Sequence, residues 1–176
     1  MRSISSRLAG TVAAITAALL LASSLTSPAA AAGISGLYGT QDPTYDGVFR
    51  QSLAIIALRS HAQAVPASAQ MWLLGQQCPD GAFEAYRADT SLACKESDLE
   101  SYSGKDTNST ALGALALFAL GRKAKAAKAV QWLRASQNVD GGMPWLRGSD
   151  SDSASTALAM LAQRTVGAAP FSHQGR

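Results

Sequence analysis

The sequence predicts an all-α protein built of αα-hairpin repeats, and three observations support this fold class. A 13-residue segment recurs without a gap, since 71–83 matches 131–143 at an offset of 60. The pattern Asp-x-x-Ser-Thr-Ala-Leu begins an apolar run at Asp106 and again at Asp152, an offset of 46. Apolar residues follow the helical period, and no segment of any length shows the alternation of a strand.

The first hairpin is predicted over 45–77. Residues 45–62 form an inner helix that is apolar on most sides, with Leu53, Ile56 and Ala57 expected to be buried. Pro66 suits the first turn of a helix, and the outer helix that it begins ends near Gln77.

The second hairpin pairs an inner helix over 110–120 with an outer helix over 123–137. The inner segment is apolar nearly all round and ends at Gly121, a residue typical of helix C-termini. The outer segment has lysines on one side and a single apolar stripe on the other, consisting of Ala126, Val130 and Leu133.

A third inner helix is predicted over 155–163, capped by Asp152 or Ser153. Residues 164–176 lack the markers of an outer helix and are expected to form an irregular tail. Leu158 and Leu161 would then be uncovered, which predicts self-association through this C-terminal face of the repeats, a missing polypeptide that covers it, or poor solubility.

The two cysteines, Cys78 and Cys94, lie 16 positions apart in a turn-rich segment, and the loop between Phe83 and Asp106 is interpreted as an insertion. This loop explains why the two offsets differ, because it lengthens a unit of about 46 residues. A structural disulfide is predicted, whereas the histidines are not placed to complete a zinc site. Asp80 and Asp140 precede glycines and are interpreted as turn residues.

Residues 1–32 are predicted to be a cleaved signal peptide. Arg2 and Arg7 precede an apolar run over 8–22, and small residues lead up to Ala32. The run is shorter than the roughly 20 residues of a membrane span. The remaining 144 residues, from Gly33 of the 176, would be secreted, and their formal charge falls from +3 to +1. So small a charge gives no reason to expect nucleic-acid binding.

The repeated run Ala-x-x-Trp-Leu-x-x-x-x-Gln-x-x-Asp-Gly, with the later Asp-x-x-Ser-Thr-Ala-Leu, resembles the repeat of the prenyltransferase and squalene-oxidase superfamily. The resemblance covers roughly 38–162 and assigns 33–163 to one domain. It implies part of an α/α toroid, the ring of helical hairpins found in class II terpenoid cyclases, protein prenyltransferases and corrinoid carriers. It also implies that Trp72, Gln77, Trp132 and Gln137 hold neighbouring helices together.

The resemblance implies a general acid at the third position of the motif, where class II cyclases carry an aspartate. Here that position holds Asn108 in one unit and Ala154 in the other, and neither side chain can protonate an alkene. The zinc ligands of prenyltransferases and the thioester motif of other toroid domains do not occur in the sequence. No catalytic residue, metal or cofactor is therefore expected.

The resemblance, together with polar residues around an apolar inner layer, implies the functional hypothesis of a secreted, non-catalytic binding module for a small apolar or corrinoid-like ligand. Asp106, Asn108, Asp152 and Trp145 are the residues expected to face that ligand, because they lie at or near the starts of inner helices. Two alternatives stay open: a degenerate or truncated cyclase-like or prenyltransferase-like enzyme, and a structural or adhesive repeat module.

Overall fold

The computed structural model describes residues 36–39 and 42–167, and within these ranges the chain is mostly helical. Five helices occur in this part: α1 (Pro43–Ser60), α2 (Ala67–Gln76), α3 (Thr107–Ala119), α4 (Lys123–Arg134) and α5 (Ser153–Val166). The one sheet within the described ranges has two strands and pairs β1 (Met143–Pro144) with β2 (Ser151–Asp152) in antiparallel register. The all-α prediction is confirmed at this level. The proposed signal peptide over 1–32 lies outside the described residues.

Helix α3 lies at the centre of the molecule and packs on α1, α4 and α5. Every residue from Ser109 to Leu117 is buried, which explains why this stretch is apolar on all sides. Helix α4 buries only one stripe, and Ala126, Val130 and Leu133 on it are all buried, as the sequence predicts.

The buried face of α1 differs from the prediction. Ile56 is partly buried against the core, but Leu53 is 46% exposed and Ala57 is exposed, whereas Gln51 and Ile55 are fully buried. The polar Gln51 occupies the interior because its amide bonds three backbone groups: it accepts from the N–H of Tyr38 (2.8 Å) and donates to two backbone carbonyls. The helical periodicity of apolar residues could not identify this face, because it takes no account of buried polar residues.

The connections from α2 to α3 and from α4 to α5 make matching hydrogen bonds. The N–H of Cys78 donates to the carbonyl of Ala82, and that of Asn138 donates to Gly142, each at 2.9 Å. The residue after each of these acceptors donates its backbone N–H to the threonine hydroxyl of the next inner helix, also at 2.9 Å, in the pairs Phe83–Thr110 and Met143–Thr156. The pairs follow the sequence offsets of 60 and 46.

Glycine is required at the turn of the first connection. Gly81 has φ +100, and a Cβ there would lie 2.5 Å from the backbone oxygen of Lys128 in α4. This contact lets the connection lie directly on α4. Met143 and Pro144 form β1 in the second connection, a strand of two residues that no sequence pattern had indicated.

Helix α5 is longer than predicted, because it continues through Val166 and ends at Gly167 in the left-handed conformation (φ +76). The irregular tail predicted from 164 therefore starts no earlier than Gly167, and residues 168–176 lie outside the described ranges. Leu161 is more than half exposed, as predicted, and so is Met160, whereas Leu158 is partly buried against the core.

Candidate functional site

Asp106 is the N-cap of α3, and its carboxylate accepts a hydrogen bond from the N–H of Ser109 at 2.8 Å. The residue is almost completely buried. Burial raises the pKa of Asp106 to about 6, although hydrogen bonds from Ser109, Asn108 and the Trp145 side chain act in the opposite direction. The carboxylate therefore both caps the helix and orients the indole of Trp145.

Asp152 occupies the matching position on α5 and accepts a hydrogen bond from the N–H of Ser155 at 2.7 Å. Of the two predicted caps, Asp152 rather than Ser153 is the one observed. Asp152 is exposed, and the hydrogen bonds from Ser155 hold its pKa below the ordinary value. Equivalent caps thus have opposite electrostatic environments, because only α3 begins inside the protein.

A cleft of about 530 Å³ lies beside the N-terminus of α3. Asp106, Asn108 and Trp145 all line it, so the structure brings together three of the four residues that the sequence predicted to face a ligand. Asp152 is not among the lining residues and lies elsewhere, at the exposed start of α5.

Aromatic side chains from four parts of the chain line this cleft. Tyr45 and Phe49 come from the first turns of α1, Tyr86 from the segment after α2, Tyr102 from the loop before α3, and Trp145 from the segment after β1. The Tyr102 and Trp145 rings are stacked, with centroids 6.2 Å apart and an interplanar angle of 16°. Sequence reasoning found only Trp145, since the other four come from three separate segments of the chain and belong to no motif.

The cleft is assembled by backbone contacts between connections and inner helices. The N–H of Val48 in α1 donates to the carbonyl of Ala85 at 2.8 Å, and the N–H of Thr107 in α3 donates to that of Trp145 at 2.9 Å. Ala85 and Trp145 are matching positions at the offset of 60. Each connection therefore crosses the start of an inner helix and places its side chains beside that helix.

Asn108 places an amide in the cleft. It occupies the motif position at which the resemblance implies a general-acid aspartate. Its Oδ1 atom is buried and accepts no hydrogen bond within the described part of the protein. A buried acceptor without a donor is costly unless a bound molecule satisfies it.

The loop carrying Tyr102 is held in place at several points. The predicted disulfide is present, with Cys78 and Cys94 Cα atoms 5.9 Å apart. Lys105 is buried and bonds Asp80, with 2.8 Å between Nζ and a carboxylate oxygen, and it also bonds Glu96. Asp80 is thus a turn residue, as predicted, that also anchors the loop by an ion pair.

The four residues assigned to helix packing occupy different environments. Trp132 is buried in the core and Arg147 lies over its ring, whereas Trp72 is half-buried and stacks on Tyr86. Gln77 donates to the carbonyl of Gly81 (3.1 Å) and to that of Lys125 in α4 (3.0 Å).

Gln137 donates to the carbonyl of Gly141 at 2.8 Å, which matches the bond from Gln77 to Gly81. Gln77 therefore joins two elements directly, while the bond from Gln137 closes its own turn.

One group of potential metal ligands occurs in the described ranges, formed by Cys78, Glu84 and Cys94. The two sulfur atoms are bonded to each other and Glu84 lies 3.7 Å from the Arg87 guanidinium, so this group offers no thiolate to a metal. None of the helices in 36–39 and 42–167 has the length and apolar character of a bilayer-crossing segment.

Comparisons with known proteins gave no match for this chain. No protein-family model matches it, and no similar protein was found among curated proteins or solved structures. The resemblance drawn from the repeated motifs therefore stays a hypothesis, and the site must be interpreted from its own chemistry.

Proposed function

We propose that this protein is a secreted, non-catalytic binding module whose aromatic cleft takes a small ligand with a largely apolar body, a corrinoid or a polyprenyl compound being candidates. The observation that carries the proposal is the cleft of about 530 Å³, lined by five aromatic side chains beside a helix start. Cavities of this size and composition are typical of small-molecule sites.

The fold is proposed to be an open portion of an α/α toroid. The matching hydrogen bonds of the two connections and the central position of α3 between α1 and α5 support this arrangement. In such a portion the starts of inner helices share one end of the stack, which is where the cleft lies.

Binding rather than catalysis is favoured by the two polar residues at the start of α3. Asn108 cannot donate a proton to an alkene, and Asp106 is held by hydrogen bonds from Ser109 and Trp145. Both residues serve better to orient a ligand than to transform one.

The test is titration of the purified protein with a corrinoid and with a polyprenyl alcohol, followed by calorimetry and tryptophan fluorescence. Trp145 is part of the cleft, so binding should change the fluorescence of the wild type and change it less in Trp145→Phe. Absence of heat and of fluorescence change with both compounds would contradict the proposal.

An enzyme of the cyclase type is the second candidate, and the buried carboxyl of Asp106, with its pKa of about 6, is the observation that favours it. This candidate predicts turnover of squalene or of a polyprenyl diphosphate that disappears in Asp106→Asn. The binding proposal predicts no turnover by the wild type, and Asn108→Asp tests whether an acid at that position restores it.

A structural role through self-association is favoured by the exposed side chains of Met160 and Leu161 on α5. Light scattering across a concentration series would detect it. Leu161→Glu should then reduce the mass of the particle, whereas a monomer at all concentrations would exclude this role.

A further inference from the structure

The charges around the cleft are unequally balanced. Lys105 is neutralised by Asp80 and Glu96, and Arg87 lies 3.7 Å from Glu84. The carboxylate of Asp106, in contrast, joins none of the ion pairs observed in the described residues, and all its hydrogen-bond donors are neutral groups. The most buried charge of the cleft is therefore a negative one without a cationic partner.

The start of α3 offers nothing further to an anion. The positive end of a helix ordinarily attracts anions through its free N–H groups. Here the carboxylate of Asp106 already accepts the hydrogen bond of Ser109 and lies beside the N–H of Asn108. The position that a phosphate or carboxylate would take is occupied by the protein itself.

A second polar group that faces the cleft has unused capacity as a hydrogen-bond acceptor. Oδ1 of Asn108 is buried without a donor, so a ligand that fits there must bring an N–H or O–H group. The orphaned acceptor is an observation independent of the charge of Asp106, and both favour a hydrogen-bond donor.

The five aromatic rings add an attraction for positive charge. The face of an aromatic ring carries negative electrostatic potential and binds ammonium groups, most strongly where water is excluded. Tyr45, Tyr102 and Trp145 retain exposed surface of 78%, 71% and 40%, so their rings are available to a ligand. Stacking fixes Tyr102 against Trp145, and the hydrogen bond to Asp106 fixes Trp145 in turn.

We propose that the ligand of this cleft is an organic ammonium compound, with a methylated or alkylated cationic centre held among the aromatic rings and a hydroxyl or N–H group donated to Asn108. This inference rests on the proposed function and specifies the class of ligand. Quaternary ammonium compounds with a short hydroxyalkyl arm have this combination of groups.

Lys95 is the one cationic side chain among the described residues that line the cleft, and it opposes such a ligand. It is exposed, so water screens its charge more than that of a buried group. Lys95 should therefore weaken binding of the cationic ligand only modestly, and removal of its charge should strengthen that binding.

The test compares choline with 3,3-dimethyl-1-butanol, which has the same shape and hydroxyl group but no charge. Calorimetric titration of the wild-type protein should give at least about tenfold tighter binding of choline, the size expected for contacts with several rings. Tyr45→Leu and Trp145→Leu should each weaken choline binding severalfold, and Lys95→Gln should tighten it by roughly twofold. Leu92→Ala, at an exposed residue outside the cleft, is the matched control and should change nothing.

The outcomes separate this inference from the function on which it rests. If the neutral alcohol binds as tightly as choline, or if only the corrinoid or the polyprenyl alcohol binds, the charge preference is refuted and the apolar binding module stands. If no compound of either series binds, both proposals fail. Choline binding that is unaffected by Tyr45→Leu and Trp145→Leu would refute the cleft as its site.

Discussion

Replacing Asp106 with asparagine tests the environment assigned to the start of α3. The pKa of Asp106 is about 6 in the folded protein, against an ordinary value of 3.8. The folded state therefore binds a proton more tightly than the unfolded chain does. Below about pH 4 the group costs no stability, and the free energy of unfolding falls as the pH rises through 6.

The size of this effect follows from the shift. A difference of about 2 pKa units corresponds to about 3 kcal/mol. Asparagine caps helices as well as aspartate does and does not ionise, but it loses the hydrogen bond from Trp145, at a cost of about 1 kcal/mol. We expect Asp106→Asn to be about 2 kcal/mol more stable than the wild type at pH 8 and slightly less stable at pH 3.5.

The assay is urea unfolding followed by circular dichroism at intervals from pH 3.5 to 8. Asp152→Asn is the matched control, because Asp152 caps α5 in the same way but has a lowered pKa. The stability that Asp152 contributes is present at neutral pH and lost on acidification, so its variant should be less stable than the wild type at pH 8. If the free energy of unfolding depends on pH in the same way for the wild type and for Asp106→Asn, the conclusion that burial disfavours the charged form of Asp106 is refuted.

Three further predictions concern the contacts that hold the segments around the cleft in place. Reducing the Cys78–Cys94 disulfide should lower the free energy of unfolding by about 3 kcal/mol, the value expected for a 16-residue separation, as measured by urea unfolding with and without reductant. Gly81→Ala should lower the melting temperature more than Gly121→Ala, because both glycines have positive φ but only the Cβ at 81 meets a neighbour, 2.5 Å from a backbone oxygen of α4. Gln77→Leu should destabilise the protein by about 1 kcal/mol in thermal unfolding, since it loses the bond to α4, whereas an unchanged melting temperature would remove the bridging role.

The helices could be found from the sequence because their signals are local. The apolar stripe of α4 and the aspartate caps of α3 and α5 depend on residues a few positions apart. The predicted ends of the helices were less accurate, because α4 ends at Arg134 and not near Gln137, and α5 extends to Val166. Caps and glycines mark these ends only when backbone geometry is known.

The cleft was only partly predictable, for a physical reason. Asp106, Asn108 and Trp145 were found because they lie in or near the repeated motifs. Tyr45 and Tyr102 join them through tertiary contacts that neither periodicity nor spacing records. The inward side of α1 was missed for a related reason, since Gln51 is buried by its hydrogen bonds to the segment near Tyr38 and not by hydrophobicity.

The most direct test of the account is a crystal structure of the protein grown with saturating choline and, separately, with a corrinoid and a polyprenyl alcohol. The account predicts ligand density in the aromatic cleft, in contact with Trp145 and Tyr45, with a donor group within hydrogen-bond distance of Oδ1 of Asn108. Density bound only at another surface, or an empty cleft in all three crystals, would contradict it.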